Sequence, residues 1–261
     1  MGSLIARLLK KDGFKVIICG RRLEVAKQVA KKLGVSYNTI KDGVREAEVV
    51  IVSVPIENTY KVCKYIAKQM ENNALLVEIS SVKTGIADKL AKELPNHIKY
   101  LSIHPLFGPQ AKSLNKQNVA VIKTKMDPCL QKVVEYLKGK GAQIAFLSVD
   151  EHDRAMAVVQ AMHHFATLSF LYALTTQLRK FSEPHKLLTR SLKLTLKSAG
   201  NLLKNMDTVT SIQQFNPYAK GMRATYLRLI SVLNKKDSKE ISAGIRAEIQ
   251  KLPLQKMAKM R

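Results

Sequence analysis

Along residues 1–148, short apolar runs alternate with longer stretches in which apolar positions recur every three or four residues. Compact β-branched runs predict strands, and the longer period predicts amphipathic helices. The predicted strands are Lys15–Cys19, Val49–Val54, Leu75–Ile79, Tyr100–Ile103, Val119–Ile122 and Ile144–Leu147. Between them, Leu23–Leu33 repeats an apolar face at Val25, Ala26, Val29, Ala30 and Leu33 and stops at Gly34. Tyr60–Met70, after Pro55, and a stretch from about Thr84 to Leu94, before Pro95, carry the same period. Strands alternating with helices predict an α/β layer fold with a parallel sheet. From Ser148 to Arg261 the period is helical throughout. Ser148 and Glu151 form a capping box, in which each side chain satisfies a free backbone N–H of the other residue, and the domain boundary is placed there. Residues 1–148 form one expected domain and 149–261 an all-helical second one, broken at Ser182-Glu183-Pro184 and at Asn216-Pro217.

The front of the chain departs from this alternation, because Leu4, Ile5, Leu8 and Leu9 already have helical spacing with no strand before them. In a dinucleotide-binding βαβ unit the order is strand, glycine-rich turn, helix, second strand, and the third glycine of GxGxxG opens the helix. Gly2 fits that third position, Gly13 ends the helix, and Phe14–Cys19 supplies the second strand. The first strand of the unit and two of its glycines are therefore expected to be missing; a free-standing N-terminal helix is the other reading. After the second strand comes Gly20-Arg21-Arg22, where a carboxylate would meet the ribose hydroxyls of NAD. Two guanidiniums suit the 2′-phosphate of NADP instead, unless they are simply a basic, exposed helix start. NADP is the expected cofactor, with NAD possible, and Gly2, Arg21, Arg22, Ser53 and Pro55 are its expected contacts.

Charge narrows the choice of partners. Lys+Arg number 44 against 20 Asp+Glu, a formal +24. Such a balance attracts anions, but the basic residues come in ones and twos, aromatics are 6% and Trp is absent. Stacking platforms for single strands are therefore scarce, and no nucleic-acid partner is expected. No apolar run approaches the roughly 18 residues of a membrane span, and the start does not read as a signal peptide; a soluble, cytoplasmic protein is expected. Cys19, Cys63 and Cys129 lie far apart without metal-binding spacing and read as apolar fillers.

In an open parallel sheet, ligands bind beyond the carboxyl ends of the strands. Two such ends carry chemistry: Ile79-Ser80-Ser81-Val82-Lys83-Thr84 and Ile103-His104-Pro105-Leu106-Phe107-Gly108-Pro109. His104 stands between an apolar strand and a rigid turn, and its imidazole can exchange a proton near neutrality; a packed turn histidine is the alternative. Asp153, Ala157, Gln160 and His164 follow helical spacing, which makes them either one wall of a site or a solvated stripe. His163-His164 point apart on a helix, and no metal is expected.

These segments, with Ser80-Ser81-Val82-Lys83, His104-Pro105-Leu106-Phe107-Gly108-Pro109 and Glu151-His152-Asp153 followed by Gln160 and His164, resemble prephenate and arogenate dehydrogenases, the archaeal ones most. The resemblance runs from Gly2 to about Phe170 and weakens through the later helices. It implies a Rossmann-like domain followed by a helical domain that dimerises, and a tyrosine-biosynthetic enzyme that oxidatively decarboxylates prephenate to 4-hydroxyphenylpyruvate. In that reaction His104 accepts the proton of the ring hydroxyl as hydride leaves the same carbon, and Ser81 orients the histidine or the hydroxyl. His164, Asp153 and Gln160 line the substrate end, and Arg190 or Lys193 holds a substrate carboxylate. The alternatives are an arogenate dehydrogenase, another Rossmann-plus-helical NADP oxidoreductase, or a paralogue that binds without catalysis.

Overall fold

The computed structural model describes residues 1–124 and 128–251. Contacts divide the chain into two compact units, Met1–Asp153 and Arg154–Arg261.

The first unit opens on helix α1 (Gly2–Lys11), followed by β1 (Ile17–Cys19), α2 (Leu23–Leu33), β2 (Ser36–Asn38), α3 (Ile40–Arg45), β3 (Val49–Val52), α4 (Ile56–Ala67), β4 (Leu75–Glu78), α5 (Ala87–Glu93), β5 (Lys99–Pro105), β6 (Asn118–Ile122), α6 (Pro128–Gly139) and β7 (Gln143–Leu147). Helix α2 has its predicted bounds, and Gly34 ends it in the left-handed conformation (φ 64°), which costs glycine least. Three elements escaped the apolar pattern, α6 among them. The strand β2 is three polar or half-exposed residues, and α3 is only six residues long, started by Thr39, whose Oγ1 accepts the Asp42 N–H at 3.1 Å.

The strands form two sheets, β1-β2 and β3-β4-β5-β6-β7. All pairs are parallel except β5 with β6, so the parallel sheet expected from the pattern has one antiparallel pair. Apolar residues of β4, β5 and β6, from Leu75 through Val121, pack with Leu130, Val134 and Leu137 of α6 into one buried core. Among the described residues, β1 and β3 each have a neighbouring strand on one side only. Helix α1 begins at the end of β3, where a Cβ on Gly2 would lie 3.3 Å from the Ser53 Cβ. Such an approach is tight for any side chain, and this is the packing that the third glycine of the βαβ turn permits.

Among the described residues the regular structure of the second unit is entirely helical, and the helix that leads into it starts within the first unit. The capping box is in place, with Ser148 N–H donating to Glu151 Oε2 (2.8 Å) and Glu151 N–H to Ser148 Oγ (3.2 Å). It opens α7 (Val149–Met156), which continues through a π-helical segment, Ala157–Met162, into α8 (His163–Leu178). The π turn takes an extra residue, so the α-helical spacing expected from Asp153 to His164 is not kept. After a short 3₁₀ turn, Pro184–Leu187, come α9 (Arg190–Leu203), α10 (Met206–Phe215), α11 (Ala219–Leu233) and α12 (Ser238–Gln250).

One helix bears on the expectation that no segment is long enough to span a membrane. The continuous run Val149–Leu178 is 30 residues long and holds a window of mean hydropathy 1.2, so one helix is long and apolar enough to cross a membrane by length and composition.

Candidate active site

Beyond the ends of β4 and β5 the core becomes polar without becoming exposed. Lys83 and Glu78 are both fully buried and pair at 2.8 Å. The Lys83 ammonium also donates to the carbonyl oxygen of Ile103 at 2.7 Å, one residue before His104. Glu78 accepts in addition from the Ser80 N–H (2.7 Å) and from the Ser102 hydroxyl. Burial pushes the Lys83 pKa down, and the Glu78 charge pulls it part of the way back. A buried charge is tolerated only when paired and hydrogen-bonded, and here the pair clamps the two strand ends from which Ser81 and His104 project.

Asp153 closes the other side. Its Oδ1 accepts the Lys83 backbone N–H at 3.0 Å, and its Oδ2 accepts the Thr84 N–H at 2.8 Å. His152 Nδ1 lies 2.7 Å from Asp153 Oδ1. Burial alone would raise the Asp153 carboxyl, but the hydrogen bonds from His152, Thr84 and Lys83 outweigh it and hold the group below the ordinary carboxylate range. His152 Nε2 then lies 2.9 Å from His104 Nδ1. His104 is 3% exposed, and burial, the adjacent His152 and the Lys83 charge push its pKa well down. A neutral imidazole results, which can accept a proton but does not hold one at neutral pH.

Of the residues singled out in the sequence, His104 and Asp153 belong to this cluster. Ser81 is half-buried on the loop after β4, while Ser80 turns inward. Gly2 and Ser53 are adjacent, and Pro55 caps the start of α4. Arg21 and Arg22 are exposed at the end of β1. Gln160 and His164 belong to the second unit, where Gln160 Oε1 and His164 Nδ1 are sealed from solvent without a hydrogen-bond partner. Burial, then the neighbouring His163, brings the His164 pKa down to about 4. Arg190 and Lys193 lie exposed on α9.

Two participants were not evident from the sequence. His152 was visible only as part of a motif, and Glu78 was hidden because it ends an apolar run. Within the second unit, Arg223 is half-buried on α11, donates to the backbone oxygen of Gln213 (3.2 Å) and to its Oε1 (2.7 Å), and lies over the Phe165 ring. Among the described residues no group of three His, Cys, Asp or Glu side chains could hold a metal ion.

The N-terminal end of α1 fits a dinucleotide phosphate in two respects. It has no acidic residue in its first turn and no side-chain cap on its free N–H groups, and such an end favours anions. A layer of mostly parallel strands with helices between them, with such a helix start at one end, has the architecture of the dinucleotide-binding class of domain. The sequence match is more particular: residues 5–146, over half the chain, match the family described as "Prephenate dehydrogenase, nucleotide-binding domain", and the chain belongs to that family.

The "Probable arogenate/prephenate dehydrogenase" of Methanocaldococcus jannaschii is 32% identical over 232 residues, covering 87% of this chain and 52% of that one. The "T-protein" of Haemophilus influenzae is 30% identical over 170 residues, covering 65% of this chain and 41% of that one. The chain thus spans about half the length of these curated relatives. Among solved structures, the prephenate dehydrogenase of Aquifex aeolicus in complex with hydroxyphenyl propionate and NAD+ aligns with TM-score 0.75 at 18% identity, covering 99% of this chain and 94% of that one. The Synechocystis arogenate dehydrogenase aligns with TM-score 0.68 at 17% identity over 98% and 94%. At these identities the likeness is one of fold.

Proposed function

We propose that this protein oxidatively decarboxylates prephenate to 4-hydroxyphenylpyruvate in tyrosine biosynthesis, with arogenate as the alternative substrate. The single observation that carries this reading is His104, a neutral, buried imidazole at the end of β5, whose Nδ1 is engaged by His152. Its other nitrogen, Nε2, is left to take the proton of the ring hydroxyl. Ser81 orients that hydroxyl, and Asp153 holds the loop of Lys83 and Thr84 in place.

NADP is the proposed cofactor, held by Gly2, Ser53 and Pro55 along its phosphates and nicotinamide arm, with Arg21 and Arg22 at the 2′-phosphate; when bound, it supplies the hydride acceptor. The Aquifex enzyme was solved with NAD+, and a fission-yeast relative is named for NADP(+), so the arginine pair is what favours NADP here. Residues 1–148 are the proposed cofactor domain and 149–261 the substrate and dimerisation domain. Gln160 and His164, with their sealed and unpartnered polar atoms, are proposed to meet substrate. For its carboxylate Arg190 and Lys193 are the candidates from the sequence.

A homodimer through the C-terminal helices is supported by their bare apolar surface: Tyr172 is 77% exposed and Leu194 62%, and Leu227 and Leu229 are also open. A second copy covering these helices accounts for the apolar run Val149–Leu178 without a membrane, and a cytoplasmic location follows. The test is turnover of prephenate and of arogenate with each nicotinamide, repeated with His104→Asn. Turnover should fall by about 10²-fold to 10⁴-fold in the variant with cofactor binding kept; an undiminished rate would refute the role of His104.

A further inference from the structure

The buried hydrogen bonds determine which nitrogens carry protons. Asp153 has peptide N–H groups on both oxygens, from Lys83 and from Thr84. A peptide N–H only donates, so these contacts favour the ionised carboxylate. His152 Nδ1, 2.7 Å from Oδ1, must then carry the hydrogen that this acceptor receives. With His152 taken as the neutral ring before the reaction, it has one N–H, and its Nε2 is a bare acceptor. The contact of 2.9 Å to His104 can then be a hydrogen bond only if His104 Nδ1 is the donor. His104 Nε2 is left with its lone pair free and, among the described residues, with no partner.

We propose that His152 is the positioning residue of this site and the second member of a proton relay, in which Nε2 of His104 takes a proton as Nδ1 of His104 gives one to Nε2 of His152, with the Asp153 carboxylate as counter-ion. The proposal rests on the dehydrogenase reading above and extends it. In the step, the hydroxyl O–H bond breaks and its proton bonds to His104 Nε2. The Nδ1 proton of His104 passes to His152 Nε2. No electrons move in the relay; the pair released on the substrate oxygen forms its carbonyl bond as hydride leaves the same carbon for the oxidised nicotinamide. His104 ends neutral in its other tautomer, and His152 ends as an imidazolium against the Asp153 carboxylate. The charge therefore rests beside its counter-ion rather than on His104, where the fully buried Lys83 ammonium would repel it. After product leaves, the reverse transfer returns the proton through His104 Nε2 to water.

The groups facing this pair are few: Lys83 and Glu78 from the loop and strand around β4, and Asp153 from α7. None of them supplies a second acceptor for His104 Nδ1. Removal of His152 therefore leaves the His104 tautomer unset, and a buried N–H or lone pair unmatched.

Nitrogen-15 NMR of the histidine-labelled protein at neutral pH reads this directly, since long-range ring correlations separate protonated from bare nitrogens. The two histidines are assigned from the signals lost in His104→Asn and His152→Gln. Both should carry hydrogen on Nδ1; a wild-type His104 protonated on Nε2 overturns the proposal and needs no variant to fold. In kinetics, His152→Phe should lower kcat by about 10²-fold with KM and cofactor Kd within about twofold. His152→Gln, whose carbonyl can sit at the Nε2 position and accept from His104, should recover part of the loss. A His152→Phe enzyme with wild-type kcat, or one that loses only KM, overturns the relay. A wild-type protein that turns over neither substrate yet shows the expected tautomers overturns the reaction and leaves the hydrogen-bond order standing, so the two failures are distinguishable.

Discussion

Replacing Lys83 by Met takes a positive charge out of a place where neither partner of the ion pair has any exposure. Glu78 would keep its bonds from Ser80 and Ser102 and lose its counter-charge, and the Ile103 carbonyl would lose a donor now 2.7 Å away. Removing one partner of a buried pair costs about 3–5 kcal/mol, and most of the carbonyl's loss is contained in that figure. For a unit of about 150 residues, 1 kcal/mol moves Tm by about 2–4 °C, so Lys83→Met should melt about 6–20 °C lower. The chain has no Trp, so circular dichroism in a urea series is the suitable assay, with an unchanged m-value showing that stability alone has moved. The double variant Lys83→Met with Glu78→Gln discharges both sites. It should regain at least about half of the loss, because most of the penalty belongs to the orphaned charge rather than to the pair. A single variant within about 1 kcal/mol of the parent, or a double variant no better than the single, would refute the argument that this pair is what clamps the strand ends.

Other outcomes follow from the same geometry. Replacing Arg21 and Arg22 together by Ser should weaken NADP+ by about 10-fold to 100-fold, the worth of charged hydrogen bonds to a phosphate, and leave NAD+ nearly unchanged; equal loss for both cofactors in equilibrium titrations would count against a 2′-phosphate site. Acid should destabilise the fold through its histidines. His164, brought to about 4, and His104, also lowered, bind protons more readily unfolded than folded. Their contribution is complete above the unfolded value of about 6.5 and is lost as pH falls below it. Urea midpoints should drop across that range, less steeply in His164→Gln, and a flat profile would contradict the assigned burial. Leu194→Glu with Leu227→Glu should shift sedimentation from dimer to monomer, and an unchanged boundary would place the interface elsewhere.

Legibility in the sequence followed the length and apolarity of each element. The strands β3 to β7 were readable because each is a short run rich in apolar residues, buried throughout in β4 and nearly so in β5 and β6, and α2 because its apolar face ends at a glycine. The strand β2 and helix α3 were not, since three polar residues or six mixed ones carry no period. The antiparallel pairing of β6 with β5 leaves no trace in composition; it depends on how the chain returns after Pro105. In the site, His104 and Asp153 could be singled out from where strands and helices end. The part of His152 could not, because its place next to Asp153 in the chain is uninformative: only the fold brings its Nε2 to His104. Glu78 and Lys83, five residues apart across a loop, would ordinarily be assigned to solvent.

The interruption of the sheet and the intactness of the proton chemistry can be tested against each other. A strand in the middle of a parallel sheet is covered on both faces and paired on both edges, yet β1 and β3 each have an unused edge, and Val49 on β3 is 48% exposed. Glu78, Lys83 and His104 belong to β4, β5 and the loop between them, one strand further in, and none of their hydrogen bonds reaches β3. Joining an apolar strand ending in a G-x-G-x turn to the chain ahead of Gly2 should therefore act on one half of the site alone. Two newly paired edges should raise the melting temperature, and two added glycines should let the backbone approach the cofactor's phosphates, tightening cofactor binding as read by calorimetry. The nitrogen-15 signature of His104 and His152 should stay as it is in the shorter chain. If the extension changed those tautomers, the acid–base cluster would depend on the open edge, and the separation of cofactor grip from proton transfer would be wrong. If it changed neither melting nor cofactor affinity, the unpaired edges of β1 and β3 would not be a strand position at all.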